Sequence, residues 1–198
     1  DRQLSLGTVM PLLGYRSAMK REGLPVPSGY FHDLATWSTI NRLYERGVTK
    51  SLQEVRREAR HPELIERLQH VIAERGGHRL AIEVEAAKIV LSDVETADIP
   101  LDWIETSLAA RMTRDTLVAE TVNLAEGIAR RVGLCLAMAG IKAEAVDAVF
   151  LTGGSTRLAH VRKAILAALP EARPVDGDTF GSVGMGLTIE AARRYGTA

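Results

Sequence analysis

Only one cysteine, Cys135, occurs in the 198 residues, so no internal disulfide can form. It lies in the apolar run VGLCLAMAG with no base beside it in sequence, which predicts a buried, inert thiol and a reduced, cytoplasmic setting. Neither sign of charge is in excess, since 25 Lys and Arg balance 25 Asp and Glu. That balance argues against a general nucleic-acid or anionic-membrane binder, which carries a basic surplus. No apolar run approaches the roughly 20 residues of a membrane span. The opening DRQLSLGTVMPLL has no basic leader with a cleavage site, and it does not begin with methionine, so a piece of a longer chain is expected. The glycine fingerprints G-x-x-x-x-G-K-[ST] and G-x-G-x-x-G are missing, which counts against P-loop chemistry and dinucleotide-dependent oxidoreduction. His32, His61, His70, His78 and His160 share no ligand spacing with carboxylates or Cys135, so no metal site is expected. No Ser–His–Asp set can be assigned.

What is present is the composition of a globular domain, 46% hydrophobic and 25% charged. GLPVPSG, residues 23–29, reads as a loop. Residues 33–46 read as a helix ended by Gly47. Residues 50–60 read as a second, broken at His61-Pro62, and residues 63–75 as a third, closed by Gly76-Gly77. Charge on one side of these helices predicts a solvated helical subdomain. Residues 79–93 form a further helix, and 94–104 a short β-hairpin. Thr113 is a good N-cap for a long helix reaching Ala139. Val118, Val122, Ala125, Ala129, Val132 and Leu136 recur at steps of four and three, which predicts one buried stripe on it. Residues 146–152 read as a continuously buried strand, 158–169 as a helix, ARPV as a short strand and 179–194 as a final helix capped by Asp178. The class is therefore α/β and helix-rich, with few strands for such a sheet. Unpaired sheet edges predict dimerisation or strand exchange.

Three stretches could carry chemistry. In VFLTGGSTRLAHVRKAIL, Gly153 and Gly154 stand at the carboxyl end of a strand, where open α/β sheets bind ligands. Glycines there let a flat or anionic group approach the backbone, and Arg157 can stack on a base or pair with phosphate. A plain tight turn with a solvated arginine is the alternative. In EAAKIVLS, Glu85, Lys88 and Ser92 fall at i, i+3 and i+7 on one helix face, a set able to bond a ribose and a purine edge. A surface ion pair beside a serine that ends the helix is the alternative. In DGDTFGSVGMG, Asp178 precedes Gly181, Gly184 and Gly186. Each helical glycine is unfavourable by about 1 kcal/mol relative to alanine, which implies close packing against a strand or close approach of a ligand.

Together AVFLTGGSTRLAHVRKAI, EAAKIVLSD and PVDGDTFGSVGMGLTIEAA resemble, in order and spacing, the DnaK-type heat-shock chaperone ATPases of the actin-like ATPase superfamily. YFHDLATW and VMPLLGY resemble the YegD-like branch, which has the ATPase domain without the usual substrate-binding domain. The resemblance implies that residues 1–112 are the outer, helical α+β subdomain of nucleotide-binding lobe II. It makes 113–198 the inner, ribonuclease-H-like subdomain without its first strands. It implies an ATP/ADP site in which Glu85, Lys88 and Ser92 contact adenosine and Arg157 stacks on adenine. Gly153, Gly154 and Ser155 form the turn behind the nucleotide, and Asp178 lies near the adenine pocket. In the family, the catalytic acidic residues, the Mg²⁺-positioning lysine and both phosphate loops lie outside the matching stretches. Lobe I of the parent is thus an implied partner, and this piece alone is expected to be inactive. The alternative is a protein-interaction module, since in the family the outer subdomain contacts nucleotide exchange factors.

Overall fold

The computed structural model describes residues 1–177 and 181–196. They divide into two compact units, Asp1–Thr121 and Val122–Ala198.

The first unit is a helical layer with a hairpin. It contains α1 (Arg2–Thr8), α2 (Gly29–Leu34), α3 (Arg46–Glu58), α4 (Pro62–Ala73) and α5 (Gly77–Val90), then β1 (Thr96–Pro100) and β2 (Ala109–Thr113). The proline at the start of α4 occupies a first-turn position, where its missing N–H has no helical partner to lose. α4 ends as Arg75 turns to φ +51° and the Gly76 N–H closes on the Val71 carbonyl at 2.8 Å. β1 and β2 pair antiparallel with Asp98 opposite Arg111, and Ala97, Ile99, Ala110 and Met112 face inward. Leu4, Met10, Leu13, Phe31, Leu34, Ile40, Leu43, Leu52, Ile65, Leu68 and Leu80 are all within 2% of complete burial. Each such side chain contributes about 1.5–3 kcal/mol relative to exposure.

The expected helix over 33–46 is not formed. After α2 the chain makes turns and a 3-10 helix over Ile40–Tyr44, and Gly47 lies inside α3 rather than ending a helix. The Thr36 hydroxyl donates to the His32 carbonyl at 2.8 Å, and the Thr39 hydroxyl donates to the Asp33 carbonyl at 3.0 Å. Such local bonds compete with a continuing helix. The hairpin also differs: its second strand begins at Ala109, after a 101–108 connection. In that connection Trp103 donates from Nε1 to Glu83 at 3.0 Å and lies under the Arg79 guanidinium at 4.6 Å.

The long helix α6 (Arg114–Ala139) starts in the first unit and continues into the second. Its cap is as expected, the Thr113 hydroxyl accepting the Thr116 N–H at 3.0 Å. The second unit continues with β3 (Ala148–Leu151), α7 (Ala159–Ala168), β4 (Arg173–Asp176) and α8 (Gly181–Tyr195). β3 and β4 pair in parallel, Ala148 with Arg173 through Leu151 with Asp176. The core here is thin: Leu151, Leu158, Val161, Ile165, Leu169 and Ala172 are buried, but none as completely as Leu4, Leu13 or Leu68 of the first unit.

Several burial expectations fail in this unit. β3 is buried only at Leu151, and Phe150 is 60% exposed. A two-stranded sheet gives β3 one neighbour and leaves the rest of its apolar run uncovered. Of the α6 stripe, Ala125 is buried, Val122 is exposed, and Val118, Ala129, Val132 and Leu136 are half-buried. Cys135 is exposed, on the wall of an open apolar groove of about 560 Å³ between α6 and β3. Among the described residues, no helix is long and apolar enough to cross a membrane.

Candidate functional site

The turn after β3 takes its shape from one residue. Gly153 adopts φ +87° and ψ 149°, a conformation essentially reserved for glycine. The chain then closes into a 3-10 turn over Gly154–Arg157. It is tied by the Thr156 N–H at 3.1 Å and the Thr156 hydroxyl at 2.8 Å, both donating to the Gly153 carbonyl. Leu158 is buried behind the turn and starts α7. The result is a rigid base with Gly154, Ser155 and Arg157 displayed on its outer side, all exposed. A Cβ on Gly153 or Gly154 would meet no atom within 4 Å, so the approach to that backbone is open. Arg157 makes no ion pair or side-chain hydrogen bond among the described residues. Its guanidinium is therefore available to stack on a flat ring or pair with an anion.

The same carboxyl edge carries Asp176 at the end of β4. The Arg162 guanidinium grips its carboxylate through both oxygens, the longer bond being 3.1 Å. That hydrogen bonding holds the Asp176 carboxyl below its ordinary value and raises Arg162 above its own. Burial alone lowers His160, in the first turn of α7. The Gly177 N–H extends the ladder to the Leu151 carbonyl at 3.0 Å, and the Phe150 ring lies where a Gly177 side chain would be. Phe150 and the glycine-rich face of α8, with Gly181, Ser182, Met185, Gly186 and Ile189, border a groove of about 350 Å³. Of the two reasons offered for the α8 glycines, close packing is absent at Gly184 and Gly186, which have open space where a side chain would sit. Asp178, proposed as a cap and adenine-side carboxylate, lies outside the described residues.

In the first unit the second motif is only partly assembled. Glu85 and Lys88 share one face of α5, with the Lys88 ammonium 3.8 Å from the Glu85 carboxylate. Lys88 is mostly buried, and its nearer partner is the Asp1 carboxylate at 2.6 Å. Sequence spacing had no means of finding that partner, 87 residues away. Ser92 lies just past the helix: α5 stops at Val90, and Ser92 sits exposed in the following turn, its N–H on the Ile89 carbonyl at 3.0 Å. Among the described residues, no group of three or more His, Cys, Asp or Glu is placed to hold a metal ion.

These elements, a helix face with a carboxylate and ammonium and a strand-Gly-Gly-Ser-Thr-Arg-helix turn, fall in the region where family comparison gives a clear answer. The family model for Hsp70 protein matches residues 58–193, well over half of the chain, and the chain belongs to the Hsp70 family. Among individual relatives, it is similar to chaperone protein dnaK1 of Nostoc sp. (strain PCC 7120 / SAG 25.82 / UTEX 2576), with 32% identity over 121 residues. That match covers 57% of this chain and 17% of the relative. The helix-rich α/β architecture with small sheets agrees with that membership.

Proposed function

We propose that this chain supplies the adenosine-facing side of an ATP or ADP cleft in a chaperone ATPase, within the YegD-like branch of the family. In this reading residues 1–112 are the outer part of the second nucleotide-binding lobe and 113–198 its inner, actin-like part. Arg157 stacks on adenine, the Gly153-Gly154-Ser155 turn backs the nucleotide, and Glu85, Lys88 and Ser92 hold the ribose and purine edge. Asp178 joins them by sequence motif. The observation that carries this is the glycine-only backbone at Gly153, which fixes an open turn and presents an unpaired arginine at the carboxyl end of a parallel strand. ATP hydrolysis, Mg²⁺ and the phosphates belong in this reading to lobe I of the parent, in the cytoplasm, with an exchange factor or co-chaperone as partner.

The test is calorimetric titration of ADP into the chain. Half a cleft loses the enclosure that makes pockets tight. Affinity should therefore be weaker than about 1 μM, equivalent to about −8 kcal/mol. Arg157→Ala should abolish it while leaving the melting temperature unchanged, because the side chain is exposed and unpaired. Submicromolar binding, or binding indifferent to Arg157→Ala, would contradict the proposal.

A further inference from the structure

A separate feature lies in the first unit, and none of the residues proposed for the nucleotide site lines it. α3 and α4 form a helical pair joined by the short 59–61 link, and between them runs a groove of about 600 Å³. Its floor is apolar, made by Leu52 and Ile72, both buried, with Ala73 beside them. Its rim is polar and cationic: Gln53, Arg56 and Arg57 from α3, Gln69 from α4, and Arg75 just beyond α4. No carboxylate lines it. Glu66 reaches Arg56 at 3.4 Å, but both side chains are about half exposed, a geometry that neutralises little. Arg57 makes no ion pair among the described residues. Among the described residues, Arg75 has only the Tyr44 ring, 5.5 Å below its guanidinium. That ring is itself fixed, because the Tyr44 hydroxyl accepts the Gly77 N–H at 3.1 Å.

Arg75 adds a second observation. It holds φ +51°, a left-handed conformation that L side chains rarely adopt. Glycines follow at once, at 76 and 77, yet the strained position is the arginine's. Its guanidinium stands at the groove's end, over Tyr44.

We propose that this groove is a binding site for a small amphipathic anion, a phosphate or carboxylate head on a short apolar body. The head group meets Arg57 and Arg75, with the Gln53 and Gln69 amides as further donors, and the apolar part lies on Leu52 and Ile72. Guanidinium forks suit both oxyanions.

Octyl phosphate, octanoate, inorganic pyrophosphate and octanol would be titrated into the full chain by calorimetry. Saturable binding of either octyl anion, at least ten-fold tighter than octanol and weakened by added salt, is expected. Which anion binds more tightly distinguishes the two head groups. Pyrophosphate, lacking the apolar part, should bind at least ten-fold more weakly than the better octyl anion. Arg57→Gln and Arg75→Gly should each lower affinity at least ten-fold. Arg75→Gly is the decisive variant, because glycine relieves the backbone and should raise the melting temperature while binding falls. Affinity unchanged from the unmodified chain in either variant, octanol binding as tightly as the anions, or no saturation with either octyl anion would overturn the proposal.

Discussion

Gly153→Ala isolates the backbone requirement of the turn from every side-chain contact. At φ +87° and ψ 149° an alanine is strained whatever space surrounds it, and there the space is empty. The penalty is thus conformational alone, about 1–3 kcal/mol. Gly154 is the internal control: it too has nothing within 4 Å of a Cβ position, but its φ is not positive. Gly154→Ala should change stability by no more than about 0.5 kcal/mol. A difference of about 2 kcal/mol between the variants corresponds to roughly thirty-fold in an opening equilibrium. Tryptophan emission is the wrong probe, since Trp37 and Trp103 both lie in the first unit. Hydrogen exchange should be followed in α7 and β4, whose amides should exchange about thirty times faster in Gly153→Ala than in Gly154→Ala, by the same conversion. Equal protection in the two variants would refute the claim that φ at Gly153 shapes this turn.

Gly76→Ala would place a Cβ 2.5–2.6 Å from the Trp103 ring, which Glu83 and Arg79 hold in place. Overpacking of this kind is unfavourable by about 1–3 kcal/mol, and should appear as a lower melting temperature with a red shift of Trp103 emission. Phe150→Ser asks whether self-association, expected from unpaired sheet edges, also draws on the second unit's exposed apolar surface, where Phe150, Val183, Met185, Leu187 and Ile189 are all at least 60% exposed. Burying one such ring contributes about 1.5–3 kcal/mol, so sedimentation should show the dissociation constant rising ten-fold or more. An unchanged distribution would remove β3 from any interface. Because Arg162 lowers the folded-state pKa of Asp176, the stabilisation is complete above the carboxyl's unfolded value and is lost as pH falls through the folded one. Arg162→Gln should therefore weaken the second unit above about pH 4 and leave it unchanged in stronger acid, read as exchange protection across an acid series.

The sequence was most informative where a local backbone constraint decides the outcome. Thr113 caps α6 as its position predicts, Pro62 starts α4, and the glycine pair after β3 marks a left-handed turn. Each depends on a few adjacent residues, so composition alone exposes it. Residues 33–46 misled because helical periodicity does not show that the Thr36 and Thr39 hydroxyls will take carbonyls at 32 and 33. β3 and Cys135 misled differently. An apolar run records suitability for burial, and whether anything covers it depends on neighbours that no local window contains.

The same distinction separates the two halves of the candidate site. The Gly153–Arg157 turn is complete as a local object: one backbone angle, one threonine bonded to the carbonyl behind it, one displayed guanidinium. The α5 face is not, because Lys88 is already engaged by Asp1 at 2.6 Å, more closely than by Glu85. To serve a ribose, Lys88 must exchange that carboxylate for a hydroxyl, while Arg157 gives up nothing but water. In the proposed site the two cations would thus contribute unequally. Arg157 should set affinity for the flat ring, and Lys88 should contribute only to the extent that its ion pair is weakened, as by salt. Discrimination between adenine and other bases should accordingly follow Arg157 and its turn, and the salt dependence should follow Lys88.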